Sequence, residues 1–199
     1  MFAHVHSFHY LGLQTYRINV EVDIVAGLPA FNIVGLPDAA IKESRERVRS
    51  AIQNCEFDFP MRKITVNLAP ADIKKEGPSF DLPIAISILK ATGQIKQPLN
   101  DYCFSGELSL TGKVRPIKGT LLLAEKAAKR GTSFFLLPES NAREAALIEN
   151  IKVIPVKSLL HTVSYLRGSE KITHFPSYEV KQATENFSED LSEVKGQIL

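Results

Sequence analysis

The stretch richest in chemical groups runs from Lys63 to Leu89: KITVNLAP, then ADIKKEGPSFD, then LPIAISIL. It reads as an apolar strand, a loop holding Lys74, Lys75 and Gly77, and a helix whose first turn carries Ser79 and Asp81. A helix N-terminus offers unpaired backbone N–H groups and a partial positive charge, which suit an anion or the oxyanion of an acyl-transfer intermediate. Ser79 would be a nucleophile there if a base lay within hydrogen-bond reach. Lys74 and Lys75 are near in sequence, but on a loop they stay protonated unless desolvated. The plainer reading, favoured on these residues alone, makes Ser79 or Asp81 a helix cap and lets Gly77-Pro78 shape the turn. The sequence has no G-x-x-x-x-G-K-[ST] run, so it holds no nucleotide-phosphate loop of that kind.

Other polar groups support weaker readings. His4 and His6 share one face of an opening strand and His9 falls on the other, with no carboxylate beside them, so solvent-facing histidines are expected rather than a metal site. Glu21 and Asp23 share a strand face with Arg17; such a pair can hold a divalent cation, but a solvated surface is the expectation. Cys55 and Cys103 lack metal or CxxC spacing and read as free thiols in a reducing compartment. The basic residues Arg47, Arg49, Lys74, Lys75, Lys113 and Arg115 would contact nucleic-acid phosphates if the fold brought them together, and otherwise form a scattered solvated set.

These groups need a scaffold, and 199 residues bury one core of ordinary size with length to spare. With 44% hydrophobic and 23% charged residues the chain is not disordered as a whole, and a net charge of +2 leaves nucleic-acid binding to a local patch. No run of about 18 apolar residues occurs, and MFAHVHSFHYLG lacks a basic segment followed by an apolar core, so a cytoplasmic protein that does not span a membrane is expected.

Alternation of Ile18, Val20, Val22 and Ile24 with polar residues predicts a half-buried strand after the opening strand Phe2–Leu11, and AFNIVGL a third. Asp38 is the expected cap of the helix DAAIKESRERVRSAIQN, which buries Ile41, Val48, Ala51 and Ile52. In it Glu43 can pair with Arg47 and Glu46 with Arg49, while Arg45, at the edge of the apolar stripe, is placed to reach a carboxylate on a neighbouring element. Further on, Tyr102–Leu110 and Val114–Ile117 read as a hairpin turning at Thr111-Gly112. Thr120 opens a helix ended by Gly131, with Lys129 and Arg130 favouring its dipole. SFFLLP and KVIPV are strands, and Ser140–Glu149 and Ser158–Leu166 are helices. An antiparallel first half and a strand–helix alternation in the second imply an α/β (α+β) fold, a mixed sheet packed with helices. The domain covers residues 1–168, residues 169–189 read as a linker, and residues 190–199 as the entrance to a further module.

Three runs carry a resemblance. VEVDIVAGLPAFNIVGLPDAAIKESRERVRSAI, KITVNLAPADIKKEGPSFDLPIAI and GELSLTGKVRPIKG resemble the N-terminal domain of the ComM/YifB, or magnesium-chelatase-like, proteins, and the similarity spans Phe2 to Arg167. DLSEVKGQ is similar to the segment with which that family enters its AAA+ ATPase module. The resemblance implies a Lon protease proteolytic-domain-like unit with the ribosomal protein S5 domain 2-like fold, attached to a hexamer-forming AAA+ ATPase. It implies ATP and Mg for the full-length protein and no cofactor in this part. The implied partners are the protein's own AAA+ module, sister subunits and DNA. The family's competence members are linked to natural transformation, where the ATPase acts as a DNA helicase driving branch migration.

The distant Lon relatives use a serine and lysine dyad. Their GPSAG motif matches Gly77, Pro78 and Ser79, with Phe80 and Asp81 replacing the small residues. Their PIGGLK run is similar to Pro116-Ile117-Lys118-Gly119-Thr120-Leu121, which puts Leu121 where the lysine stands. Leucine cannot activate a serine, and Lys118 would serve only if the backbone differed there. The resemblance therefore implies a non-catalytic accessory domain of a DNA-acting motor. The alternatives are a serine peptidase using Ser79 and a subunit of magnesium chelatase, the latter resting on the ATPase module alone.

Overall fold

In the computed structural model, which describes residues 1–177, the first strand of the chain is the middle strand of the sheet. In chain order the strands are β1 (Phe2–Leu11), β2 (Gln14–Val25), β3 (Ala30–Val34), β4 (Lys63–Ala69), β5 (Tyr102–Phe104), β6 (Glu107–Leu108), β7 (Val114–Arg115), β8 (Phe134–Pro138) and β9 (Lys152–Val156). A seven-stranded sheet has the order β3-β4-β2-β1-β5-β8-β9, and β6 and β7 form a small antiparallel ribbon beside it. β1, β2 and β4 are joined antiparallel, while β3 joins β4, and β5, β8 and β9 follow β1, in parallel. The mixed sheet expected from the sequence is thus present, although β3 pairs in parallel within the half expected to be antiparallel.

Helices α1 (Ala39–Asn54), α2 (Asp81–Ala91), α3 (Thr120–Lys129), α4 (Ala142–Ala145) and α5 (Leu159–Leu166) complete the described part. Two apolar clusters form. One joins Val5, Val20, Val22, Ile64 and Val66 to residues of α1, α2 and α5. The other joins Phe8, Cys103 and Phe135 to residues of α3 and α4. Because β1 feeds both, it is buried without a break from Val5 to His9. This corrects the expectation of solvent-facing histidines for two of the three: His4 is exposed, but His6 and His9 are only 8% and 5% exposed.

Asp38 caps α1 as expected, its carboxylate accepting from the Ile41 N–H at 2.8 Å. The predicted strand Tyr102–Leu110 is broken instead into β5 and β6. Gly106 leaves the main sheet to donate its N–H to the Ser79 carbonyl at 2.8 Å, and its own carbonyl accepts from the Leu82 N–H at 3.0 Å. The predicted helix Ser140–Glu149 shrinks to a 3₁₀ turn over Glu139–Asn141 followed by α4. No described helix is long and apolar enough to cross a membrane. The second half of the expected linker and the expected module entrance at 190–199 lie outside the described residues.

Candidate functional site

Ser79 stands in a 3₁₀ turn, Pro78–Phe80, that runs directly into α2. Gly77 supplies the positive φ of 82° that the loop needs, and its N–H donates to the Asp38 carboxylate at 3.0 Å. Neither Ser79 nor Asp81 caps α2: the N-cap position belongs to Phe80 and carries no side-chain bond. The capping reading is therefore replaced by another role for each residue.

Asp81 turns inward and is completely buried. Its carboxylate accepts from Arg47 Nε at 2.7 Å, Arg47 Nη2 at 3.1 Å, the Leu108 N–H at 3.1 Å and the Ser44 hydroxyl. Burial raises the Asp81 carboxyl, and the Arg47, Ser44 and Leu108 donors pull it back toward the carboxylate. The same bond to Asp81 raises the Arg47 guanidinium. This buried pair ties α1, α2 and β6 together directly behind the Ser79 turn. Arg45, the residue expected to make such a reach, bonds the Lys42 carbonyl at 3.0 Å instead.

In front of the turn lies a cavity of about 390 Å³, whose walls include Ser79, His9, Tyr10, Glu76, Ile117 and Lys118. The sequence pairs Ser79 with Lys118 only through a distant motif, and the fold places both on this one wall space. Among the described residues no side chain donates to or accepts from the Ser79 hydroxyl, whose neighbouring carbonyl takes the Ser105 hydroxyl at 3.5 Å. His9 packs on the Phe80 ring at 5.8 Å between centroids, and its Nε2 has no partner among the described residues. Burial lowers the His9 pKa, so the ring is neutral near pH 7. Leu121, which the resemblance aligns with the Lon lysine, is the second residue of α3, behind Gly119, where a Cβ would come within 2.5 Å of the Tyr10 ring. Its backbone N–H donates to the Glu144 carboxylate at 3.0 Å, and its side chain has no proton to exchange.

The six basic candidates do not share one fate. Arg47 is held by Asp81, and the fully buried Lys75 donates its ammonium to the carbonyls of Gly35 at 2.9 Å and of Pro70. Burial lowers the Lys75 pKa. Lys75 is thereby corrected out of a phosphate-contacting surface, because an ammonium committed to interior acceptors has nothing left to offer a ligand, whereas Arg47 keeps Nη1 at the surface, 3.7 Å from Glu43. Arg49 lies over the Phe59 ring at 5.1 Å, Lys74 pairs with Glu76 at 2.7 Å, Arg115 pairs with Glu107 at 3.0 Å, and Lys113 is exposed. A second set of cations, Arg17, Lys126, Lys129 and Arg130, lines an open groove of about 570 Å³ that sequence reasoning missed. The only signal there was Lys129 and Arg130 at a helix end, which reads as dipole compensation. Glu21, considered for a metal, accepts from Asn67 at 2.8 Å, and no cluster of metal-ligating side chains occurs among the described residues.

A mixed α/β domain that presents a serine at a helix entrance, facing a cavity, is consistent with the Lon-like class of fold expected from the sequence. Residues 20–141 match the family described as subunit ChlI of Mg-chelatase. The chain is 40% identical over 202 residues to competence protein ComM of Haemophilus influenzae, covering 98% of this chain and 39% of that protein. It is 40% identical over 195 residues to the uncharacterized protein YifB of Escherichia coli, covering 97% of this chain and 38% of that protein. A weaker similarity, 25% over 154 residues, links 71% of the chain to 19% of the Lon protease of Trichlorobacter lovleyi. The chain belongs to the Mg-chelatase-like ComM/YifB family and corresponds to its N-terminal domain. It spans well under half the length of the curated relatives it matches.

Proposed function

We propose that this chain is the non-catalytic accessory domain of a cytoplasmic AAA+ ATPase that acts on DNA, a helicase or branch-migration motor serving competence and recombination. ATP and Mg are held by the ATPase module, which assembles with sister subunits into a hexamer. What supports the non-catalytic part is chemical: the resemblance aligns Leu121 with the lysine base, and among the described residues no side chain bonds the Ser79 hydroxyl to take its proton. The name competence protein, borne by the Haemophilus relative, supports the pathway. In the full-length protein the expected result is ATP hydrolysis stimulated by DNA, together with DNA binding that weakens as salt rises. A full-length protein that binds no DNA at low salt refutes the motor reading.

The placement of Ser79, His9 and Lys118 around one cavity favours a second reading, a serine peptidase. A fluorophosphonate probe that labels the wild type and spares Ser79→Ala would establish it. Absence of labelling in both is the outcome expected here.

A further inference from the structure

β4 ends at Ala69, paired with Asn19, and the chain then turns away through Pro70. The edge of β2 from Gln14 to Arg17 therefore has β1 on one side and, among the described residues, no strand on the other. α3 runs alongside, and the open groove of about 570 Å³ lies between them. Arg17 lines it from the strand, and Lys126, Lys129 and Arg130 from the last turns of the helix.

These charges are poorly balanced within the fold. Among the described residues Glu125 is the one carboxylate in the lining, and it pairs with Lys129 at 2.6 Å. Lys126 and Arg130 meet no carboxylate among the described residues. Arg17 donates at 2.6 Å to Nε2 of His6, whose pKa is lowered to about 4 by burial and by Arg17 itself. A neutral ring accepts the bond without cancelling the charge. Helix-dipole compensation accounts for cations at the end of α3 but not for Arg17, which comes from a strand. In a chain whose net charge is only +2, this is a local concentration of positive charge created by the fold.

We propose that this groove binds the sugar–phosphate backbone of a nucleic-acid strand, an inference that rests on the DNA-acting reading above. Phosphates repeating along a strand can meet cations on both walls, Arg17 from β2 and Lys126, Lys129 and Arg130 from α3. An acidic protein segment is the competing occupant.

The test uses the full-length protein and a short fluorescein-labelled oligothymidine strand, titrated across a series of salt concentrations. Lys126→Ala with Arg130→Ala is compared with wild type and with Lys42→Ala plus Lys63→Ala, an equal loss of charge at exposed sites outside the groove. The groove variant should bind about tenfold more weakly at low salt and show a log–log salt slope shallower by about 1.4, because each single-strand phosphate contact contributes about 0.7. The control should match wild type. A groove variant with wild-type affinity and slope overturns the groove and leaves the motor reading standing, whereas a wild type that binds no strand overturns both. Oligoglutamate of equal charge that displaces the strand at lower concentration assigns the groove to a protein partner and also overturns the proposal. Should the variant fail to fold, photocross-linking of wild type to a thiothymidine strand decides. Cross-links at Arg17 and along α3 support the groove, and cross-links confined elsewhere refute it.

Discussion

Asp81 shows how much of a site can be hidden from a one-dimensional reading. The α1 period predicts that Arg47 pairs with Glu43, and they do lie 3.7 Å apart, but the stronger bond goes to Asp81 at 2.7 Å. Helical spacing places Arg47 outside the apolar stripe and says nothing of α2 crossing at that level. Lys75 is misread for the same reason: a lysine on a Gly-containing loop looks solvated until its acceptors, two backbone carbonyls from separate loops, are known. A lysine at position 75 that holds loops together cannot be used to test nucleic-acid binding, since its removal disturbs the fold. Removing one member of a buried ion pair leaves the other charge uncompensated, so Arg47→Ala should cost about 3–5 kcal/mol of stability. Replacing both partners, Arg47→Met with Asp81→Leu, should cost clearly less. Urea denaturation of wild type and the two variants measures this, and equal losses in the single and double variants would show that Asp81 draws its support from Ser44 and Leu108 rather than from Arg47.

Elements with a clear period were legible in the sequence, and those shaped by a neighbour were not. β2 and α1 fall where alternation and helical spacing put them, because each buries one face against a single partner layer. The run from Tyr102 to Leu110 has strand character throughout, yet it divides at Gly106, whose backbone is claimed by Ser79 and Leu82. Close backbone approach of this sort also governs Gly35, between β3 and α1. It has φ 97°, and a Cβ there would lie 2.3 Å from the Leu68 carbonyl oxygen of β4. That neighbour is backbone of a strand flanked by β3 and β2 and cannot yield, and the Gly35 carbonyl is also an acceptor for Lys75. Gly35→Ala should therefore destabilise by at least about 2 kcal/mol, combining positive-φ strain with a displaced acceptor. A thermal melt that stays within a degree or so of wild type would mean that β3 shifts freely, contrary to its parallel register with β4.

At the scale of the whole molecule, the fold depends on a strand made before any other and placed in the middle of the sheet. β1 sends Val5 into the cluster built on α1, α2 and α5, and Phe8 into the cluster built on α3 and α4. The cavity of Ser79 and the basic groove both lie along this strand and its hairpin with β2, so neither can be positioned without both cores. Such a shared strand makes the two halves of the sheet one cooperative unit. Phe8→Ala removes a buried ring from the second core and should cost about 3–5 kcal/mol. Native-state hydrogen exchange in rising denaturant reads the consequence at two distant places, the β4 amides from Ile64 to Leu68 and the β8 amides from Phe135 to Leu137. If β1 couples the cores, both sets follow one unfolding isotherm and both lose the same free energy in Phe8→Ala. If the β8 amides lose protection while those of β4 keep theirs, the halves open separately, and a change at the groove would not be felt at the Ser79 turn.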